Sequence, residues 1–174
     1  MCLQKYMQKE IKTYIEQPVF LFVDTIKIDI KYFKQRIEEG IAHESNRNYQ
    51  SNVQSKMTAW NFFCDDEVFI KQIFRPVRDI IEKKTNEGKF KLHNAWGIKQ
   101  ANDERTISHD HRPSLASGVV YLDDCDQELR FDQIDQIIKP QKGLLVLFSG
   151  ILNHYTNRNK SNDKYALSFN LFYV

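Results

Sequence analysis

The first half of the chain carries apolar residues at helical spacing. Ile30, Phe33, Ile37 and Ile41 recur every three or four positions, which predicts a helix with one apolar face. Residues 65–88 form a second segment of this kind, because they open on acidic residues and then repeat apolar positions up to Gly88. Pro76 lies inside that segment and should kink or divide the helix.

Three other stretches of this half differ from the two helical ones. Residues 18–28, PVFLFVDTIKI, are apolar and β-branched, and they predict a strand. Residues 4–16 are weakly helical, and the polar residues 45–56 predict a loop. The first half, residues 1–88, is therefore expected to be mainly helical support with one strand.

The second half, residues 89–174, changes to short apolar and aromatic runs separated by polar or glycine-containing turns. The runs are KFKLHNAWGIK, ASGVVYLDD, QELRFDQ, GLLVLFSG and KYALSFNLFYV. Several strands at such close spacing predict a sandwich or a barrel. The chain is thus expected to be an α+β protein in which one domain spans residues 1–174, with helices first and the β core last.

Net charge, the length of apolar runs and the cysteine content exclude some classes of protein. The formal net charge is only +2, and no basic stripe indicates a nucleic-acid partner. The longest apolar stretch near the N-terminus, VFLFV, is far too short to span a bilayer. The chain has three cysteines and no C-x-x-C pair, which favours reduced thiols in a cytoplasm, either of the source cell or of an infected host.

The histidines carry the candidate chemistry. His109 and His111 are two residues apart, so on an extended strand both imidazoles point to the same face, as a metal site requires. His154 follows the buried run GLLVLFSG and stands at the end of a predicted strand, whereas His93 is interpreted as structural. Asp110 should point to the opposite face unless a bulge turns it inward, which leaves a carboxylate ligand, or no metal at all, as alternatives.

Three blocks, HDHRPSLASGVVYL, KPQKGLLVLFSGILNHYTNRN and KYALSFN, resemble the Fe(II)/2-oxoglutarate-dependent oxygenases, especially their phage- and bacteria-associated branch. The resemblance covers residues 90–174 well. It implies a double-stranded β-helix, or jelly roll, and an iron site of His109, His111 and His154 beside 2-oxoglutarate, with open positions for dioxygen. The usual triad is two histidines and a carboxylate, so His111 stands where the family has Asp or Glu.

The closing strand predicts a cosubstrate site. Its residues alternate, so Lys164, Ala166, Ser168 and Asn170 share one face. The resemblance places Lys164 where the family usually has an arginine that binds the far carboxylate of 2-oxoglutarate, and Ala166 where it has a serine. Ser168 or Tyr121 would then compensate for the missing hydroxyl. A surface lysine and a core tyrosine are the alternative interpretations.

Asn94 and Trp96 alternate on one face of their strand and, with Asn170, are candidates for the substrate pocket, although core packing also explains Trp96. The sequence therefore favours an oxygenase that hydroxylates a small-molecule or peptidyl substrate and releases succinate and CO2. Two alternatives stay open. One is a three-histidine dioxygenase that does not use 2-oxoglutarate, like the cupin-type thiol dioxygenases, and the other is a non-catalytic jelly roll with a structural or binding role.

Overall fold

The structure is a computed structural model that describes residues 19–43, 52–85 and 90–174. Its helices are α1 (Ile30–Ala42), α2 (Glu67–Phe69) and α3 (Arg75–Thr85). Its strands are β1 (Leu21–Thr25), β2 (Val53–Gln54), β3 (Lys56–Met57), β4 (Phe90–Gln100), β5 (Arg105–Thr106), β6 (Ala116–Tyr121), β7 (Leu129–Phe131), β8 (Gln136–Ile138), β9 (Leu144–Ser149), β10 (Tyr155–Thr156) and β11 (Lys164–Tyr173). The helix expected over residues 4–16 and the stop at Gly88 lie outside the described residues.

Both predicted helical segments of the described chain are helical. Helix α1 is capped by Asp29, whose carboxylate accepts a hydrogen bond from the Tyr32 backbone N–H at 3.0 Å. The second segment is divided as expected: α2 passes into a π-helical turn at Ile70–Phe74, and α3 begins just before Pro76. The missing N–H of proline removes one α-helical hydrogen bond, which accounts for the π-helical turn that precedes Pro76.

The five strands predicted in the second half all form, and four of them join one antiparallel sheet. This major sheet has the order β1-β9-β6-β11-β4-β3, and a minor sheet has the order β10-β7-β8. The described chain is thus mostly sheet with few helices, an architecture consistent with a jelly-roll core.

The major sheet is covered on both faces. On one face, residues of β9 and β11 such as Leu147 and Leu167 pack into a cluster with Phe33 and Ile37 of α1. Gly97 of β4 allows this contact, because a Cβ there would lie 2.4 Å from the Ile37 side chain. On the other face, a smaller cluster joins β9 to the minor sheet, and the candidate site lies on this side.

Two details of the first half differ from the expectation. The segment predicted as a loop contains β2 and the first residue of β3 in its described part, so the first half carries more than the one strand that was expected. Strand β2 pairs with β5, and β3 pairs with β4. Each is two residues long, and a run of that length has no periodicity that a sequence pattern could display.

Candidate metal centre

Two separate loops bring the three candidate ligands together. His109 and His111 lie in the extended segment between β5 and β6 rather than in a regular strand, and His154 directly precedes β10. His109 and His154 form an isolated antiparallel bridge, in which the His154 N–H donates to the His109 carbonyl at 2.9 Å and the reverse bond spans 3.2 Å. The two segments are therefore fixed to each other through the backbone.

The imidazole rings converge. Their centroids are separated by 4.9 Å for His109 and His111, 4.4 Å for His109 and His154, and 5.0 Å for His111 and His154. One ring nitrogen from each residue can be chosen so that all three lie within 4.8 Å of one another. Such a set can hold one metal ion, and the same-face expectation for His109 and His111 is met although they lie outside a strand.

Backbone carbonyls orient two of the rings. Nδ1 of His109 lies 2.7 Å from the Ile107 carbonyl oxygen, and Nδ1 of His154 lies 3.1 Å from the Leu152 carbonyl oxygen. Since only a protonated nitrogen can donate to a carbonyl, the proton belongs on Nδ1 and the lone pair on Nε2. Metal-binding histidines commonly show this arrangement.

Burial keeps these imidazoles neutral. It lowers the pKa of His109, and it lowers the pKa of His111 to about 4, with the nearby His109 adding to the effect. The pKa of His154 is lowered to about 3 for the same reasons, and Phe131 and Phe148 pack around its ring. Neutral imidazole is the form that binds a metal, and imidazole suits Fe(II) among other divalent ions, so this donor set fits the metal implied by the sequence.

Asp110 does not join the cluster. Its carboxylate oxygens accept hydrogen bonds from the Arg112 backbone N–H at 3.0 Å and from Arg112 Nε at 2.8 Å. The hydrogen bonds from Arg112 lower the pKa of Asp110. The carboxylate is thus engaged outside the three rings, as expected for the residue between two same-face neighbours.

The loop that carries His109 and His111 packs directly on the end of β9. The His111 backbone N–H donates to the Gly150 carbonyl at 2.8 Å, and the Gly150 N–H donates to the Leu115 carbonyl at 2.9 Å. A Cβ at position 150 would lie 2.0 Å from the Ser114 carbonyl oxygen, so only glycine permits this approach. In the sequence, the run FSG at the end of the predicted strand indicates a turn at Gly150. It does not indicate that Gly150 also contacts the loop that carries His109 and His111.

An inner cavity extends from the histidines under β11. Lys164, Tyr121 and Ser168, the predicted cosubstrate residues, all line it, and so does Ala166. The Lys164 side chain is buried, and its ammonium lies 5.3 Å from the centre of the Tyr121 ring. Burial lowers the pKa of Lys164 to about 8 and raises the pKa of Tyr121. The surface-lysine interpretation is therefore wrong.

Lys164 has one polar partner that the sequence did not indicate. Its Nζ donates to Oε1 of Gln127, a fully buried residue of the loop between β6 and β7. Within the described ranges, no carboxylate lies within ion-pair distance of this ammonium. The charge of Asp123 raises the pKa of Lys164, but its carboxylate binds Lys34 and the Tyr165 backbone N–H.

An outer cleft of about 640 Å³ opens on the other side of the histidines. Asn94, Trp96 and Asn170, the predicted substrate residues, line it together with His109. Asn170 Oδ1 accepts a hydrogen bond from the Ser117 hydroxyl at 2.6 Å. Asn94 Oδ1 and Trp96 Nε1 are buried and lack a hydrogen-bond partner among the described residues.

Comparison of sequences gives no relative: no family model matches the chain, and no curated protein matches it. Solved structures do match. The viral collagen prolyl hydroxylase vCPH of Paramecium bursaria Chlorella virus-1, in its 2OG complex, is 17% identical with a TM-score of 0.69, over 88% of this chain and 96% of that one. A prolyl-4-hydroxylase of Pseudomonas putida is 14% identical with a TM-score of 0.70, over 88% of this chain and 92% of that one.

A third match contains both a metal and the 2-oxo acid. HygX of Streptomyces hygroscopicus, with nickel and 2-oxoglutarate bound, is 12% identical with a TM-score of 0.62, over 88% of this chain and 83% of that one. Another matching structure is that of an oxidoreductase of the 2OG-Fe(II) oxygenase family from Burkholderia pseudomallei, which is 13% identical with a TM-score of 0.53, over 60% of this chain and 55% of that one. The resemblance that the three sequence blocks carry is thus matched in three dimensions, and the chain has the fold of the 2OG-Fe(II) oxygenases.

Proposed function

We propose that this chain is an Fe(II)- and 2-oxoglutarate-dependent oxygenase that hydroxylates a small-molecule or peptidyl substrate and releases succinate and CO2. The observation that carries the proposal is Lys164. A buried ammonium without an ion-pair partner among the described residues is costly by several kcal/mol, unless a bound anion compensates for it. Its cavity also contains the three histidines, so a dianion with one end at the metal and the other at Lys164 matches the arrangement.

In this proposal His109, His111 and His154 hold the iron through Nε2 of the two oriented rings and one ring nitrogen of His111. Iron together with 2-oxoglutarate would supply the oxidising chemistry with dioxygen, and the protein supplies the geometry and a pocket of restricted water access. Lys164 binds the far carboxylate of 2-oxoglutarate, with Tyr121 and Ser168 as the other cosubstrate residues. Tyr121 is kept protonated by burial, so its hydroxyl remains able to donate.

The substrate approaches from the outer cleft. Asn94 offers an unpaired acceptor and Trp96 an unpaired donor at its wall, and a bound substrate would satisfy buried groups that the protein leaves without partners. Asn170 stands beside Asn94 in the register of β11 and β4 and completes this surface. Matching structures include both a peptide-bound prolyl hydroxylase of Trichoplax adhaerens and HygX with hygromycin B, which supports keeping both substrate classes.

Two further expectations belong to the proposal. Cys64 and Cys125 are free thiols, which agrees with residence in a cytoplasm. In the described residues no helix is long and apolar enough to cross a membrane.

The helices and the second-half strands share one hydrophobic cluster, which supports treating residues 1–174 as one domain.

The test is an anaerobic titration of 2-oxoglutarate into the Fe(II) protein, followed by its metal-to-ligand charge-transfer absorbance. We expect a saturable absorbance change and, after air is admitted, slow formation of succinate. The His154→Ala variant should show neither. Absence of both signals in the wild type would overturn the proposal, and oxygen-dependent oxidation of a thiol without 2-oxoglutarate would establish the three-histidine dioxygenase instead.

A further inference from the structure

Gln127 is a fully buried residue that binds Lys164, one of the residues that line the inner cavity. Its side-chain amide makes three hydrogen bonds: Nε2 donates to the Glu104 carbonyl and to the Asn157 carbonyl, both at 3.0 Å, and Oε1 accepts from Lys164 Nζ. Both N–H groups face carbonyl oxygens, which can only accept. The amide therefore has one possible orientation, and its oxygen must face Lys164.

Two loops hold this amide in place. Glu104 belongs to the turn between β4 and β5, and its carbonyl also accepts a hydrogen bond from the Asn159 backbone N–H at 2.9 Å. Asn157 follows β10, the strand that His154 directly precedes. The position of the Gln127 oxygen is thus tied to the same segment that carries a candidate metal ligand.

The chemistry of the acceptor is as important as its position. An amide oxygen accepts from an ammonium without neutralising it, whereas a carboxylate at position 127 would form an ion pair. A lysine ammonium has three N–H groups that can donate, and Gln127 accepts a hydrogen bond from one of them. The Tyr121 ring lies 5.3 Å from the ammonium, so the Lys164 charge has neighbours that hold it but no ion-pair partner among the described residues.

We propose that Gln127 is a positioning residue for 2-oxoglutarate: its neutral amide holds the ammonium of Lys164, a residue that lines the inner cavity, and leaves the charge available to the far carboxylate. This role rests on the proposed function, because it requires that Lys164 binds that carboxylate. Gln127 itself need not touch the cosubstrate. Its effect should therefore depend on whether the 2-oxo acid has a second carboxylate.

The test compares two ligands by calorimetry on the Mn(II)-loaded protein: 2-oxoglutarate, and 2-oxobutyrate, which has no far carboxylate. In Gln127→Glu the new carboxylate competes for Lys164, so the dissociation constant for 2-oxoglutarate should rise about tenfold or more. The dissociation constants for 2-oxobutyrate and for Mn(II) should stay within about twofold of the wild type. Gln136→Glu, a change at an exposed glutamine of β8, is the matched control and should alter none of the three constants.

A second variant covers the case in which Gln127→Glu does not fold. Gln127→Met keeps the volume but removes the acceptor and both N–H donors, and it should raise the dissociation constant for 2-oxoglutarate selectively, by about tenfold or more. Equal weakening of both 2-oxo acids would identify a merely structural role and overturn the proposal. If 2-oxoglutarate binds the wild type and the variants equally well, only the proposed role of Gln127 is overturned. If 2-oxoglutarate does not bind the wild type, the proposed function is overturned together with the role of Gln127.

Discussion

His109 and His154 exchange two backbone hydrogen bonds, one of 2.9 Å and one of 3.2 Å, although they are far apart in the chain. The bonds join the loop before β6 to the segment before β10. Two of the three candidate ligands are therefore held together by the protein, without the help of a metal. A site of this kind is preorganised, so removal of the metal should leave the ligand geometry largely intact.

The first prediction concerns metal binding. His154→Ala removes the most buried of the three rings and should weaken the binding of Fe(II), or of Mn(II) as a surrogate, by about a hundredfold or more. His93→Ala is the matched control, because the His93 ring packs against Phe172 outside the three-histidine cluster and its removal should not change the affinity. Metal content after dialysis and calorimetric titration measure both. Unchanged binding in the triple variant of His109, His111 and His154 would place the metal elsewhere.

The second prediction decides whether a carboxylate takes part. Asp110→Asn removes the charge that Arg112 now binds and should change metal affinity less than about threefold, since the carboxylate faces Arg112 rather than the rings. Titration of Mn(II) into the variant is the measurement. A loss comparable to that of His154→Ala would make Asp110 a ligand in solution and would contradict the three-histidine set.

The third prediction follows from the lowered histidine pKa values. Below the ordinary histidine pKa of about 6.5, the unfolded chain takes up protons that the folded site excludes, so the free energy of unfolding of the metal-free protein falls as the pH falls. His111 alone should contribute a loss of about 1.4 kcal/mol per pH unit between pH 6.5 and its folded pKa of about 4. Urea unfolding at several pH values measures this loss. The control is His111→Gln, whose stability should depend less steeply on pH; equal slopes would show that His111 is accessible to protons.

Those features of the fold that rest on local periodicity could be predicted from the sequence. In β11 a period of two separates Lys164 and Ala166 from Leu167 and Phe169, and the structure places the first pair at the inner cavity and the second in the helix-covered cluster. The spacing of Phe33 and Ile37 likewise predicted α1 and its buried face. Such patterns indicate which side of a helix or strand is buried, and a stretch of only a few residues is enough to show them.

The features that the sequence did not indicate depend on contacts between distant parts of the chain. Gln127 stands in DDCDQELRF, where no neighbour reveals that its amide will meet carbonyls 23 and 30 positions away. The pairing of β2 with β5 is of the same kind, since each strand has two residues. The place of His154 at the end of a predicted strand made it a candidate, and the family resemblance then implied it as the distal ligand, but the bridge to His109 was not predictable from either segment alone.

The fourth prediction concerns Gly150. A methyl group at this position would collide with the Ser114 carbonyl and push the loop of His109 and His111 away from β9. Gly150→Ala should therefore weaken metal binding by about tenfold or more, as is typical when the support of a metal ligand is disturbed. The control is Gly97→Ala, which collides with Ile37 on the opposite face of the sheet. It should lower the melting temperature while the folded protein keeps its metal affinity, and a similar loss of affinity in both variants would remove the specific role of Gly150.

The last prediction concerns Lys164. If its ammonium binds the far carboxylate of 2-oxoglutarate, Lys164→Ala removes a charge-assisted hydrogen bond worth about 1.5 to 3 kcal/mol, and the dissociation constant should rise roughly ten- to a hundredfold. Lys164→Arg should retain most of the binding, because a guanidinium can bind a carboxylate through two hydrogen bonds. Metal affinity should not change in either variant. Lys99→Ala, on the opposite face of the sheet beside Tyr165, is the control for removal of a positive charge.

The pKa of Lys164 adds a second measurement to the same prediction. Burial lowers this pKa to about 8, so the ammonium loses its charge as the pH rises, and 2-oxoglutarate should bind more weakly at alkaline pH. The arginine variant stays charged throughout, and its affinity should not fall over the same pH interval. Calorimetric titration of both proteins between about pH 7 and 9 makes the comparison. Parallel profiles would show that the charge of Lys164 does not contribute to the binding of 2-oxoglutarate. The metal centre alone would then account for that binding.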